Sequence, residues 1–219
     1  MKSLVIAMTL AASAASAAPV TYQLEAAHTD VGFGIKHLGL STVRGVFKTV
    51  SGSIDFDPKS DAADKVNIEI DAASIDTGSE KRDGHVKSAD FLDVARFPKI
   101  TFASKSVKAA GKGKFKVAGD LTLHGVTKPV TLEVADFVGP AASPLDKKNH
   151  IGATVTGVIN RQDFGIVWNA GGATGAAGEA VVGNDIKLQF DIDGVQADAA
   201  AAAAPAAPAA PAAPAAPAK

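Results

Sequence analysis

An all-β fold, an antiparallel sandwich or barrel of short strands, is what this 219-residue chain predicts, and three observations predict it. Apolar and polar residues alternate in run after run through the middle of the chain, the pattern of half-buried strands. Breaks such as Ser51-Gly52 and Asp57-Pro58 separate the runs. Helix is nearly missing, since only residues 79–93 offer short helical turns. Many strands with one apolar face either pack in two layers or close on themselves.

The elements follow in order. Residues 1–17 read as a secretory signal: Lys2 is the positive start, residues 4–12 are apolar, and Ala15-Ser16-Ala17 is the cleavage site. That apolar stretch falls short of the roughly 20 residues a bilayer span needs, so no transmembrane segment is expected. Export past the first of two membranes makes the periplasm the expected location. Residues 18–195 then form one domain, long enough for a sizeable core. Val31, Phe33, Ile35 and His37 share one strand face, and Val66, Ile68 and Ile70 share another. Gly32 and Gly34 inside the first of these runs mark a bend or a close backbone approach. Leu121 and Leu123, then Val130, Leu132 and Val134, then Ile186, Leu188, Phe190 and Ile192 repeat the alternation. Residues 196–219 are a tail, nearly all Ala from 199 with Pro at 205, 208, 211, 214 and 217. Proline at every third position opposes helix and matches an extended polyproline spacer.

Composition narrows the function classes. With no Cys, neither disulfides nor thiolate metal sites support the fold. A net charge of −1 argues against a nucleic-acid partner. Ten Phe against one Tyr and one Trp give aromatic surface with few polar handles, suited to burial against hydrocarbon or against other side chains.

The stretch from Asp76 to Ser104 stands apart, because it has no period of 2 and gathers charge, His and aromatics. Irregular segments of this kind on a β scaffold are where function concentrates. Arg82-Asp83-Gly84-His85 has the residue types of acid–base chemistry, with Asp83 placed to orient His85. However, the chain has no Gly-x-Ser-x-Gly elbow and no His-Glu-x-x-His motif. His28, His37, His85, His124 and His150 show no metal-ligand spacing, so no metal and no cofactor are expected. His37 shares the parity of Phe33 and Ile35 and is expected as a hydrogen-bonded pocket or core histidine. Arg161-Gln162-Asp163-Phe164-Gly165 is a second charged break before an apolar strand at 166–168. Arg161 and Asp163 are expected to pair with Asp83 and Arg82. The Gly-rich stretch 171–178 lacks the Lys and Ser or Thr of a phosphate loop.

A barrel of about eight strands either fills its interior with side chains or holds one small ligand. The expected apolar lining is Phe33, Ile35, Phe47, Ile68, Phe91, Phe102, Leu121, Leu123, Phe164, Ile166, Trp168 and Phe190. Phe91, Leu92 and Phe97 would close over it. The expected polar mouth is His37, Arg82, Asp83, His85, Arg161 and Asp163.

An ordered set of motifs resembles the YceI-like family. It begins with His28-Thr29-Asp30-Val31-Gly32-Phe33, His37-Leu38-Gly39-Leu40-Ser41 and Gly45-Val46-Phe47. Ser74-Ile75-Asp76-Thr77-Gly78, Arg82-Asp83-Gly84-His85-Val86, Asp90-Phe91-Leu92-Asp93 and Phe97-Pro98-Lys99-Ile100-Thr101-Phe102 follow. Residues 119–130, containing Leu123-His124-Gly125-Val126-Thr127-Lys128-Pro129, and 161–165 complete the order. The resemblance covers residues 22–192; the loop 139–150 departs from the family's usual turn, and the tail lies outside it. It implies a lipocalin-like antiparallel barrel with a short helical or irregular cap, exported to the periplasm. Such a barrel would bind a polyisoprenoid or similar long lipid, of quinone or prenyl phosphate type, without running a reaction. Two alternatives stand beside this: a stress-adaptation protein acting through partners, and a hydrolase or isomerase on a lipid-linked substrate with His85 as base. A homodimer is compatible with all three.

Overall fold

A computed structural model describes residues 19–60, 64–169 and 180–198. The signal-like segment, most of the tail and the Gly-rich stretch 171–178 lie outside the described residues. Among the described residues there are eleven strands: β1 (Val20–Leu24), β2 (Asp30–His37), β3 (Ser41–Phe47), β4 (Val50–Phe56), β5 (Lys65–Asp71), β6 (Ile75–Asp76), β7 (Lys99–Gly111), β8 (Lys114–Leu123), β9 (Val126–Ala142), β10 (Asn149–Asn160) and β11 (Val182–Gln196). Among the described residues the only α-helix is α1 (Glu80–Lys87).

Their pairing resolves into eight long strands. β1 and β2 both pair with β11, and they pair with β4 and β3 respectively. They are therefore two halves of one strand. In the same way β3 runs on into β4, and β5 into β6, because β5 pairs with β4 and β6 with β3. The order then continues β5–β7–β8–β9–β10–β11 and returns from β11 to β1. An eight-stranded antiparallel barrel closes through β1 and β11, each strand beside its neighbour in sequence, and the short β6 pairs with β3 alone.

Alternation explains why these segments are strands: Ile151, Ala153 and Val155 are buried on β10, and Val117, Leu121 and Leu123 on β8. At one end, where β1 and β10 begin and β11 finishes, Tyr22 and Ile151 are almost wholly buried. Near that end Phe56, Phe115 and Phe137 stack ring against ring at 5.0 and 5.3 Å. At Gly32 a close approach is what the backbone requires, since a Cβ would stand 2.9 Å from the Gln189 carbonyl oxygen.

Three strands break at the same level of the wall. Residues 26–28 form a 3₁₀ turn between β1 and β2, residues 48–49 separate β3 from β4, and 72–74 form a 3₁₀ turn between β5 and β6. The register places these breaks side by side, with Val31 opposite Phe47 on one side and Phe47 opposite Ile75 on the other. Beyond them lies the half of the barrel that carries the cap.

The cap is shorter than the sequence suggests. Its non-strand part is 77–98, because residues 99–104 already belong to β7, where the alternation is too short to be told from the irregular stretch before it. One further expectation is corrected. The break at 161–164 is a 3₁₀ turn that ends at Gly165 in the left-handed region, and 166–168, expected as a strand, are not one.

Candidate functional site, a capped apolar cavity

Beyond the three breaks the interior is hollow. A cavity of about 310 Å³ lies between the barrel wall and the cap. β2 contributes Val31, Phe33 and Ile35; β3 contributes Val43 and Phe47; Ile70, Ile75 and Ile100 close one side. Leu121, Leu123, Ile159, Ile186, Leu188 and Phe190 complete the wall. Val86, Phe91 and Leu92 reach in from the cap, and Ile166 and Trp168 from the segment after β10. The polar side chains that reach it are few: Lys36, His37, Thr77, Arg82, His85 and Arg161.

The cap is tied down at both ends. The Asp83 carboxylate accepts from the Thr77 N–H at 2.8 Å and from its hydroxyl at 2.6 Å. Arg82 donates from Nε to Thr77 Oγ1 and from Nη2 to the Thr77 carbonyl. After α1 the chain folds back, with the Leu92 N–H on the Val86 carbonyl and the Val94 N–H on that of Lys87. Buried Asp93 pairs with Arg96. At the exit the Ala72 N–H donates to the Pro98 carbonyl.

His85 joins the cap to the opposite rim. Its Nε2 lies 2.9 Å from Asp90 Oδ2, and its ring meets Phe91 and Trp168 edge-on at 5.0 and 5.3 Å. Asp90, not Asp83, is its carboxylate partner.

Arg161 is the most unusual residue of the site. Only 1% exposed, it donates to three carbonyls: Nε to Gly183, Nη1 to Ile166 and Nη2 to Val182. Those bonds use three of its five N–H groups, and no carboxylate pairs with it among the described residues. Burial pushes its pKa down from the usual value. The expected pairing with Asp83 does not form, because Asp83 is spent on Thr77 and Arg161 sits in a 3₁₀ turn facing strand-end carbonyls. Nor does Asp163 pair with Arg82, whose donors go to Thr77.

Of the apolar residues expected at the lining, Phe33, Ile35, Phe47, Phe91, Leu121, Leu123, Ile166, Trp168 and Phe190 border the cavity. Ile68, Phe102 and Phe164 do not; they pack in the core. Phe97 stacks on His124 at 4.8 Å instead of closing the interior. His37, Arg82, His85 and Arg161 border the cavity, whereas Asp83 and exposed Asp163 do not. His37 is an exposed residue at the rim of the cavity. Sequence reasoning passed over Ile186 and Leu188, although their alternation with Phe190 marks the same face.

Comparison with known proteins agrees with this architecture. The YceI-like domain model matches residues 22–194. Protein YceI of Escherichia coli O157:H7 is 41% identical over 201 residues, spanning 90% of this chain and 99% of that protein. The Campylobacter jejuni YCEI crystal structure shares 35% identity with a TM-score of 0.62, covering 80% of this chain and 97% of that one. A polyisoprenoid binding domain from Saccharophagus degradans has the same fold at 18% identity, with a TM-score of 0.58 over 81% of this chain and 99% of that one. A domain match over most of the chain and relatives at this level of identity place it in the YceI-like family.

Proposed function

We propose that this chain is a non-catalytic periplasmic carrier that sequesters an isoprenoid or similar long-chain lipid with a quinone or prenyl phosphate head. The observation that carries the reading is the hollow, apolar half of the barrel with Arg161 buried in its wall. Apolar walls favour a hydrocarbon chain, and each buried methylene contributes about 0.8 kcal/mol. At about 15–30 Å³ per water-sized atom, the cavity takes on the order of ten to twenty carbons. Ten of them contribute about 8 kcal/mol, a micromolar affinity before ordering costs are subtracted.

Arg82, His85 and Arg161 supply donors for an oxygen-rich head, and a guanidinium suits a phosphate through two parallel N–H groups. The name of the Saccharophagus domain supports the same ligand class. The signal-like residues 1–17 support the periplasm. A general-base role for His85 would draw on Asp90, at 2.9 Å, and not on Asp83, which serves Thr77.

Lipid extraction from protein purified out of its native host, followed by mass spectrometry, tests the reading. One isoprenoid species near one per chain is the expected result. Protein that emerges lipid-free, and that takes up neither a prenyl phosphate nor a quinone from vesicles, sinks it.

A further inference from the structure

On the outer wall, at the opposite end from the cap, Glu25, His150 and Asp193 meet. Their ligand atoms all lie within 4.8 Å of one another, and each side chain is partly buried. They come from three separate stretches of chain: the residue after β1, the start of β10 and the last third of β11. Barrel closure assembles them, with the Glu25 N–H on the Asp193 carbonyl at 2.9 Å and the Thr29 hydroxyl on the same carbonyl. The backbone that carries these ligands is therefore fixed before any ion arrives.

His150 Nδ1 lies 3.0 Å from Asp193 Oδ1, and its Nε2 lies 3.1 Å from Asp146 Oδ2. Two ligands about 2.0–2.1 Å from a tetrahedral ion stand roughly 3.3 Å apart, so the His150–Asp193 separation already approaches that spacing. A carboxylate on the far nitrogen of a ligating imidazole fixes its tautomer and raises its basicity. Asp146 is held for that task by the Lys148 N–H at 3.0 Å. His28 stands next to Glu25, at 3.1 Å.

We propose that Glu25, His150 and Asp193 bind a divalent transition-metal ion of the Zn²⁺ class, with Asp146 as a positioning residue. One imidazole with two carboxylates is a borderline nitrogen–oxygen donor set, suited to Zn²⁺ more than to Ca²⁺ or Cu⁺. The ion takes the Nδ1 lone pair, and a proton held between Nδ1 and Asp193 leaves to solvent. Bound there, it ties the break between β1 and β2 to β10 and β11. Short sequence spacing finds ligands on one strand or helix only, which is why residues 25, 150 and 193 escape it. The inference stands independently of what fills the cavity.

Zn²⁺ titration of the untagged chain by calorimetry, with Co²⁺ absorption as a second probe, tests it. One Zn²⁺ per chain at micromolar affinity is expected. H150Q and D193N should each weaken binding at least tenfold, and D146N about 10- to 100-fold although it does not touch the ion. E133Q, on β9 and paired with Lys116 outside the cluster, should leave it unchanged. With Co²⁺, strong visible bands of a four- or five-coordinate site are expected, and this readout survives if H150Q fails to fold. Affinity no better than millimolar, equal affinity in H150Q and the parent, or only the weak Co²⁺ bands of an aquo ion overturns the proposal.

Discussion

Replacing Arg161 by Met separates what the guanidinium does for the barrel from what it does for a ligand. In the fold it serves the carbonyls of Gly183, Ile166 and Val182. Met keeps the bulk and leaves three carbonyls without this donor. Each buried, unsatisfied group costs about 1–3 kcal/mol. Removing a buried cation returns several kcal/mol of desolvation. The difference is a net loss of about 2–4 kcal/mol, or roughly 4–16 °C in melting temperature for a domain of this size.

The ligand adds a second term. Hydrogen bonds to a charged group contribute about 1.5–3 kcal/mol, so affinity for a prenyl phosphate should fall about 10- to 150-fold. Arg161→Lys is the control, because it keeps the charge but not the planar fork and should recover only part of either loss. Thermal melting in the absence of lipid reads the first term. Emission of Trp168, the only Trp of the chain and a cavity residue, reads binding. A variant that melts several degrees lower yet binds prenyl phosphate as tightly as the parent would show that Arg161 serves the wall alone. Unchanged melting would refute the hydrogen-bond reasoning itself.

Three other expectations are as direct. Gly45→Ala puts a Cβ 2.5 Å from the Phe33 ring, so the ring must swing within the cavity; a loss of about 1–3 kcal/mol and a lower lipid load by mass spectrometry are expected. Thr77→Val removes the hydroxyl that joins Asp83 to Arg82, so amide exchange in α1 should speed up about tenfold while β8 and β10 exchange as before. Lys48 Nζ lies 2.5 Å from Asp76, and that bond, with the Gly78 N–H, holds the Asp76 carboxyl below its usual value. A lowered carboxyl pKa contributes stability above its unfolded value of 3.8 and loses it as pH falls through the folded value. Lys48 is raised by the same bond, so its share is present below 10.5 and lost above. Urea melts of Lys48→Met should therefore fall below the parent at pH 7 and converge with it near pH 2.

Much of the wall was legible in the sequence because its strands have one apolar and one wet face. Val66, Ile68 and Ile70 or Ile186, Leu188 and Phe190 can sit in phase only as strands. The breaks at 26–28, 48–49 and 72–74 carry no Pro, and nothing in their composition separates them from ordinary turns. The partners of Arg161 were illegible for another reason. A charged residue two positions before Asp163, in a charged break ahead of the apolar run 166–168, suggests a carboxylate partner, whereas a 3₁₀ turn aims it at backbone carbonyls of the strand 21 and 22 residues on. Backbone acceptors have no sequence signature, since every residue has one.

Those same breaks bear on why Ile68 and Phe102 do not reach the cavity, although Leu121, opposite Phe102, sits at the boundary and does. Ile68 and Phe102 face each other across β5 and β7 on the filled side of the breaks, where Tyr22 and Ile151 occupy the interior. Val31, Phe33, Ile35, Val43, Phe47 and Ile75 all lie on the hollow side. Parity along a strand says that a side chain points inward; it does not say whether anything meets it there. Three neighbouring strands that interrupt their ladders at one level allow the wall above to diverge from the wall below. Side chains of ordinary size then fail to meet across the axis. Interior packing normally closes such a gap, because unfilled apolar volume costs about 24 cal/mol per Å³. Here the segment 77–98 is laid over the gap and anchored at Thr77 and Pro98 instead of filling it. On the proposed function, the lipid supplies the volume that this half lacks, while the other half packs around Tyr22 and Ile151.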